Sequence, residues 1–265
     1  MRTPLAGRDV QAESLTCTVD VRTKRTNVNT AADVRIDSAI RGTDESIWQA
    51  ILAAAPLWSP AEGPLLIISP HPDNEVLAAG GLIHMWKQAG RRVTILSLTD
   101  GEAAYPHWRR LAQVRREELK EALQVLSQRP VLLVRLGIPD GRVAEHAGKL
   151  RGAIVSLVMP GTTIIAPYEE DGFADHNAAG RIACEMARSL GVPIVRYPIW
   201  TWHHGDPLAL TGFSWRRFSL SEAAQAAKAD AVRCFTSQMS PYKRAPIFPD
   251  HIIRYFARPY EAFLV

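Results

Sequence analysis

From Leu65 onward, short apolar runs alternate with segments that have the periodicity of amphipathic helices. The first run, LLIIS (65–69), is followed by a helical segment that stops at Gly90. Strands that alternate with helices form right-handed βαβ units and build a parallel sheet that helices cover on both faces. The pattern therefore predicts an α/β fold, a Rossmann-like three-layer domain with a mainly parallel sheet that is elaborated at its N- and C-terminal ends.

The same pattern predicts the domain boundaries. Residues 1–45 lack long periodicity and are rich in Thr, Arg, Asp and Val, so we expect an N-terminal arm with one or two short strands. Residues 46–265 are predicted to form a single domain. Within it, later strands are expected at 131–137, 162–168 and 192–200.

Composition narrows the class of protein. The 265 residues are 47% hydrophobic and 22% charged, which is enough to fill a sizeable core. The net charge of +4 is not concentrated in any basic run, which argues against nucleic acid as a partner.

No apolar stretch approaches the roughly 18 residues of a membrane span. Cys17, Cys184 and Cys234 are too widely spaced for a disulfide framework or a thiolate zinc site. We therefore expect a cytoplasmic protein.

Polar side chains follow the predicted strands at the points where the strands end. In an open parallel sheet, ligands bind beyond these carboxyl ends, where the loops converge. The candidate residues are His71, Asp73, Asn74, Glu75, Asp100, Glu102, Asp140, Glu169, Glu170, Asp171, Asp175 and His176.

His71 and His176 allow two interpretations of these clusters. Zinc hydrolases use three nitrogen or oxygen ligands and leave one position for water. Two histidines and one carboxylate-type ligand from adjacent strand ends would supply that set, and a further carboxylate would accept a proton from the water. Asp, Asn and Glu are equally typical of helix N-termini. Spacing alone therefore leaves a metal site and a pair of helix caps as alternatives.

Several motifs around these residues resemble those of one known family. SPHPDNEVLAAGG (69–81) is similar to the signature of the PIG-L/LmbE-like deacetylases, which usually read HPDDE with a glycine pair following. The resemblance extends over roughly residues 42–263. Further motifs in the family's order are LTDGEA (98–103), RREEL (115–119), LGIPDG (136–141) and DGFADHNAAG (171–180).

The resemblance implies a zinc-dependent N-deacetylase that acts on the N-acetylglucosamine-type groups of small glycosides. His71 and His176 would be zinc ligands, and Asn74 occupies the position of an aspartate ligand. Asp73 would be the general base that takes a proton from water. Zn²⁺ is the implied cofactor and a small-molecule glycoside is the implied partner, whereas the oligomeric state stays open.

The resemblance also implies residues that contact the substrate. Arg116 and Asp140 lie in motifs that bind the sugar, with Arg115 as an alternative to Arg116. His203 is a further candidate, with His204 as its alternative, because both follow a predicted strand in YPIWTWHH.

Two residues depart from the family's pattern. Asn74 replaces a carboxylate by a neutral amide, which is a poorer partner for zinc, so the metal is expected to bind more weakly. Phe173 stands where the family often has a histidine that polarises the oxyanion, and a phenyl ring cannot donate a hydrogen bond. His203 or His204 would have to replace that donor. Together these departures support an alternative function, a catalytically weakened binding or accessory protein on the same fold.

Overall fold

A computed structural model describes residues 37–105, 107–240 and 245–265, and these form a seven-stranded sheet with helices on both faces. The strands are β1 (Leu65–Ser69), β2 (Val93–Ser97), β3 (Leu132–Arg135), β4 (Thr163–Pro167), β5 (Ile194–Tyr197), β6 (Trp215–Ser219) and β7 (Tyr260–Leu264). Their order is β3-β2-β1-β4-β5-β7-β6. Strands β1 to β5 are parallel to their neighbours in that series, and β7 runs antiparallel to β5 and β6.

The helices of the described chain separate the parallel strands and cover the sheet. They are α1 (Glu45–Ala53), α2 (Asn74–Gln88), α3 (Leu111–Leu126), α4 (Ala147–Leu157), α5 (Ala174–Leu190), α6 (Thr201–His204), α7 (Glu222–Arg233), α8 (Thr236–Met239) and α9 (Asp250–Ile253). The predicted mainly parallel, three-layer fold is confirmed. The elaboration at its C-terminal end is the antiparallel pair β6 and β7.

The core lies on both sides of the sheet because successive side chains of a strand point to opposite faces. Leu65 and Ile67 belong to the cluster that includes α2 and α3. Leu66 and Ile68 belong to a second cluster with α4 and α5. All five residues of β1 are buried, as expected of a central parallel strand.

The order of the strands places a crevice between β1 and β4. After β1 the sheet grows outward through β2 and β3, and the chain then returns to add β4 on the other side of β1. The loops that follow β1 and β4 therefore diverge, which makes this edge the switch point at which open α/β sheets bind ligands. The His71 and His176 motifs follow these two strands.

Helix α2 is held in place by the last strand. It is kinked at Ala79 (φ −137°, ψ 18°), and beyond the kink the N–H groups of Gly81 and Leu82 donate to the carboxylate of Glu261 at 2.8 and 2.9 Å. Lys228 of α7 donates to the same carboxylate at 2.8 Å. A Cβ at Gly81 would lie 2.5 Å from Cδ2 of Leu220, so glycine is needed for this close approach.

The N-terminal arm falls mostly outside the described residues, as does Cys17. Residues 37–44 contain turns and no strand, and α1 begins at Glu45. Neither Cys184 nor Cys234 forms a disulfide bond with another described residue. Within the described ranges, none of the helices is long and apolar enough to cross a membrane.

Candidate metal centre

His71 and His176 meet at the crevice between β1 and β4. His71 lies in the turn after β1, and His176 lies in the first turn of α5, which follows β4. Nδ1 of His71 is 3.1 Å from Nε2 of His176, and the two ring centroids are 5.1 Å apart. One nitrogen of each imidazole therefore points toward the other ring.

The ring nitrogen of His176 that faces away from His71, here called its outer nitrogen, is held in place by Asp171. Nδ1 of His176 is 2.7 Å from Oδ2 of Asp171, and both side chains are fully buried. A buried carboxylate accepts, so Nδ1 carries the proton and Nε2 is left with its lone pair. Burial lowers the pKa of His176 although Asp171 opposes this shift, so the ring stays neutral.

Asp171 is itself held by the start of α6. It accepts hydrogen bonds from the backbone N–H groups of Ile199, Trp200 and Thr201 and from Oγ1 of Thr201. The loop after β5 and the loop after β4 are therefore tied together through one carboxylate. We did not assign this role to Asp171 from the sequence, where it is one of several acids in EEDGFADH.

The outer nitrogen of His71 is fixed by two carboxylates. Nε2 of His71 lies 3.0 Å from Oδ1 of Asp140 and 3.6 Å from Oδ2 of Asp175. Backbone N–H groups hold both acids, that of Ala103 at Asp140 and those of Gly141 and Val143 at Asp175. The acids are thus kept in place to bind a proton, or a cation, at His71.

These contacts shift the pKa values of His71 and Asp140 in opposite directions. Burial would lower the pKa of His71, but the hydrogen bonds and charges of Asp140 and Asp175 outweigh it and raise the pKa to about 10. Burial would raise the pKa of Asp140, but the hydrogen bond and charge of His71 lower it to about 2. In the metal-free protein His71 is therefore an imidazolium that donates to Asp140 and to Nε2 of His176.

The arrangement fits a divalent cation. Among the described residues, His71, Asp140 and Asp175 form a group whose ligand atoms lie within 4.8 Å of one another and which could hold a metal ion. The gap between the two imidazoles is the second place where donors converge. Two nitrogens at 2.0–2.1 Å from one tetrahedral zinc ion lie about 3.3 Å apart, close to the observed 3.1 Å.

Asp73 lies beside the histidine pair in a strained conformation. It is 1% exposed, and its φ of 138° lies in the region that favours glycine. Arg115 donates through Nη2 to Oδ2 of Asp73 at 2.6 Å and to the carbonyl of Pro72 at 2.9 Å. Burial raises the pKa of the Asp73 carboxyl to about 6 against the lowering effect of Arg115. A carboxylate with this pKa suits proton transfer near neutral pH.

Asn74 makes two hydrogen bonds within the same turn. Its Oδ1 accepts from the backbone N–H of His71 at 3.2 Å, and its Nδ2 donates to Oδ1 of Asp73 at 2.8 Å. The side chain is 2% exposed. A carboxylate at this position could not donate to Asp73, so the amide replaces a repulsion between two acids by a hydrogen bond.

The two arginines of RREEL point to different partners. Arg115 is buried against Asp73, and its Nη1 also donates to the carbonyl of Gly101 at 3.0 Å. Arg116 instead donates to Oδ2 of Asp100 at 2.8 Å, and over a third of its side chain is exposed. The contact with Asp73 therefore belongs to Arg115.

The two histidines of TWHH contact different parts of the chain. Nε2 of His203 contacts the carbonyl of Asp37 at 3.3 Å, and its ring lies 6.0 Å from that of His251. His204 contacts the carbonyl of Asp171 at 3.2 Å, and a Cβ at Gly172 would lie 2.3 Å from its Nε2. His204 is thus the one that adjoins the loop carrying Phe173.

Phe173 presents an apolar face to the histidine pair. Its ring centroid lies 5.9 Å from that of His176 and 5.2 Å from that of Trp200, which stacks on Phe248 at 5.2 Å. The side of the crevice next to His176 is therefore an aromatic wall.

The chain resembles known proteins over this same region. Residues 66–187 match the family model named PIG-L, described as GlcNAc-PI de-N-acetylase. The protein is similar to the PIG-L family over this stretch, which is a little less than half of the chain and is called the PIG-L domain below. This domain runs from β1 into α5, so it contains His71, Asp73, Asn74, Asp140 and His176.

Two relatives of the PIG-L domain are deacetylases by name. A Bacillus cereus protein named "Probable N-acetyl-alpha-D-glucosaminyl L-malate deacetylase 2" is 32% identical over 130 residues, which are 44% of this chain and 57% of that protein. The diacetylchitobiose deacetylase of Thermococcus kodakarensis is 28% identical over 137 residues, or 49% of this chain and 51% of the relative. The chain thus spans about half the length of the relatives it matches.

Solved structures share the fold around the PIG-L domain. A conserved protein of Thermus thermophilus has 25% identity and a TM-score of 0.56, over 76% of this chain and 93% of its own. The zinc-inhibited form of a teicoplanin deacetylase has 17% identity and a TM-score of 0.59, over 76% of this chain and 97% of its own. At this identity the second likeness supports the Rossmann-like fold alone.

Proposed function

We propose that this protein is a zinc-dependent N-deacetylase that hydrolyses the acetamide of an N-acetylglucosamine-type or related small glycoside. The observation that carries the proposal is the histidine pair, with Nδ1 of His71 3.1 Å from Nε2 of His176 and with each outer nitrogen held by a carboxylate. Carboxylates that orient imidazoles in this way are typical of metal centres. The PIG-L domain and the deacetylase relatives support the same reaction.

In this proposal His71, His176 and Asn74 hold the cation. We prefer the gap between the imidazoles to the His71, Asp140 and Asp175 group because backbone N–H groups already occupy both acids. Oδ1 of Asn74 accepts one hydrogen bond and keeps a second lone pair. A bound zinc ion would polarise the acetamide carbonyl and lower the pKa of a water molecule.

Asp73 would then take the proton from the attacking water and pass it to the leaving amine. Arg115 holds one oxygen of its carboxylate and Asn74 holds the other, so the direction of the side chain is fixed before substrate arrives. Pre-organisation of this kind removes part of the entropic barrier to reaction. The neighbouring Asp140 would orient His71 and offer a hydrogen-bond acceptor to a sugar hydroxyl.

The test is metal analysis of the purified protein together with amine release from methyl N-acetylglucosaminide. We expect about one zinc per chain at saturation and amine release that chelation abolishes. Asp73→Asn is expected to keep the zinc and lose at least 10²-fold in rate, because it removes the base and retains the shape. Zinc-loaded protein that releases no amine from any N-acetylated amino sugar would refute the proposal.

A second candidate function is a binding or accessory protein with weakened catalysis. The hydrogen bond from Nδ2 of Asn74 to Asp73 favours it, since the amide stabilises the metal-free turn and engages the base. Asn74→Asp separates the two candidates. If the native protein binds no zinc and Asn74→Asp gains both zinc and amine release, the accessory function is supported and the active enzyme is ruled out.

A further inference from the structure

Residues 37–44, here called the docked segment, lie against α6 and are held there by hydrogen bonds. The backbone N–H of Thr43 donates to the carbonyl of His203 at 2.8 Å, and Oγ1 of Thr43 donates to the carbonyl of Gly205 at 2.9 Å. The hydroxyl of Tyr255 donates in turn to the carbonyl of Thr43. The docked segment contains turns and bends but neither a helix nor a strand, so its position depends on contacts of this kind.

The side chain of His203 makes a second contact between α6 and the docked segment. Its Nε2 lies 3.3 Å from the carbonyl oxygen of Asp37. A carbonyl only accepts, so Nε2 carries the proton and Nδ1 of the neutral ring keeps its lone pair. His203 therefore contacts both ends of the docked segment, Asp37 through its ring and Thr43 through its backbone.

Nδ1 of His203 lies where a second proton would find no acceptor. Among the described residues this nitrogen has no hydrogen-bond partner, and the whole residue is 4% exposed. The backbone of Gly42 packs against it, since a Cβ at Gly42 would lie 2.3 Å from Nδ1. Protonation would therefore create a positively charged ring with a buried N–H that nothing accepts. An unpaired buried donor of this kind is costly.

The charged and titratable groups around the ring act on it in both directions. They are His251 of α9, whose ring centroid lies 6.0 Å from that of His203, His204 of α6, and Asp37 of the docked segment. Burial lowers the pKa of His203 below its ordinary 6.5, and the charges of His251 and His204 lower it further. The carbonyl and the charge of Asp37 oppose this shift without reversing it. Once the docked segment leaves, the ring loses the cover of Gly42 and its pKa returns toward about 6.5.

We propose that His203 is a pH-dependent switch, which holds the docked segment on α6 while its ring is neutral and releases the segment when its ring is protonated. The released state binds the proton more tightly than the docked state does. Release therefore becomes more favourable as pH falls below about 6.5, by at most tenfold per pH unit. Above that pH the docked segment stays in place.

The proposed switch acts on the helix that supports the candidate metal centre. The N–H groups of Trp200 and Thr201, where α6 begins, donate to Asp171. The docked segment contacts the other end of the same four-residue helix, at His203. The proposal needs neither zinc nor the deacetylase function, since it concerns only how residues 37–44 are held.

Amide hydrogen exchange, measured by mass spectrometry on the native protein, tests the proposal. Exchange of peptides that cover residues 38–44 is followed between pH 5 and pH 8 and is divided by the intrinsic rate at each pH. We expect their protection to be constant above about pH 7 and to fall by up to about tenfold per pH unit below about pH 6.5. Peptides of α2 are the internal reference and should show no such fall.

His203→Gln removes the titrating group and keeps the donor. The amide of glutamine can still donate to the carbonyl of Asp37, so protection of residues 38–44 should be the same at pH 5 and pH 8. His84→Gln is the matched control, because the ring of His84 also contacts a backbone carbonyl, that of Leu126 at 2.9 Å, but lies on α2. It should keep the native fall in protection. His251→Gln removes a charge that opposes protonation, so it should reduce the fall.

Three results would overturn the proposal. They are a native docked segment whose protection does not change with pH, a fall that persists in His203→Gln, and an equal fall in the α2 peptides, which would show general unfolding in acid. If His203→Gln does not hold the docked segment even at pH 8, His251→Gln decides, and an unchanged fall in that variant overturns the proposal. Thermal unfolding of each variant checks that the rest of the fold is intact.

Discussion

Asp171 and His176 form a fully buried pair, with Oδ2 of the acid 2.7 Å from Nδ1 of the ring. The same carboxylate accepts the N–H groups that open α6, so it connects the orientation of a candidate metal ligand to the folding of the loop after β5. A single side chain thus serves both the centre and the fold around it.

Asp171→Asn is expected to lower both the stability of the fold and the affinity for zinc. An amide accepts fewer of these hydrogen bonds and turns a donor toward backbone N–H groups, which should lower the free energy of unfolding by about 2–4 kcal/mol. Zinc affinity should fall by about 10–100-fold because the tautomer of His176 is no longer fixed. Urea unfolding of the metal-free protein and a chelator competition measure the two effects separately. Native zinc affinity in a destabilised variant would contradict the orienting role.

Asn74→Asp is expected to act in opposite directions on stability and on metal binding. Without zinc, the new carboxylate loses the hydrogen bond to Asp73 and places two acids side by side, at a cost of about 1–3 kcal/mol. With zinc, the added negative charge should tighten binding by about 10–100-fold. Thermal unfolding should show that the substitution destabilises the protein in the presence of chelator and stabilises it in the presence of zinc. A variant that is more stable in chelator would refute this account of Asn74.

Phe173→His is expected to raise the rate of amine release. The new imidazole would stand beside His176, where the phenyl ring now lies 5.9 Å away, and could donate to a developing oxyanion. One such donor contributes about 10²–10³ in rate. Phe173→Leu is the control, since it changes packing on Trp200 without adding a donor. Equal rates for both variants would show that no donor is missing at this position.

Activity is expected to fall on the acid side of neutrality. Burial raises the pKa of Asp73 to about 6, and the base must be ionised to accept a proton. Below that pKa, kcat/KM should decrease tenfold per pH unit. The positive charge of a bound zinc ion would lower the pKa of Asp73 and so move this decrease to lower pH. A pH profile with saturating zinc measures it. Activity that rises as the pH falls below 6 would exclude Asp73 as the base.

Glu75 is expected to make the metal-free protein less stable as pH rises. It is fully buried, and burial raises its pKa from 4.5 to about 7 although its hydrogen bond with Ser69 opposes the shift. Between these values Glu75 binds a proton more tightly in the folded state than in the unfolded state, so its contribution to stability is complete below pH 4.5 and is lost as pH rises through 7. Glu75→Gln should remove this contribution of about 3 kcal/mol. Denaturant unfolding at pH 5 and pH 8 compares the two proteins; an unchanged pH dependence would contradict it.

The fold was largely predictable from local pattern. A buried parallel strand needs an apolar run, and its crossover helix needs an apolar stripe. Both patterns can be recognised within a short segment of sequence, as in LLIIS and the segment that follows it. The antiparallel pair β6 and β7 was not predicted. WRRFS and YEAFL are short and mixed in polarity, and they become strands by pairing with each other across about 40 residues of chain.

The sequence by itself determined the Rossmann-like layers and the arrival of His71, Asp73, Asp140 and His176 at the carboxyl ends of strands, because strand and helix periodicity are local properties. Only the tertiary structure decided that β4 returns beside β1 and brings the two histidines within 3.1 Å. It also decided which arginine reaches Asp73. Neighbouring residues on a helix point about 100° apart, so the packing of α3, and not the sequence RREEL alone, directs Arg115 to Asp73 and Arg116 to Asp100.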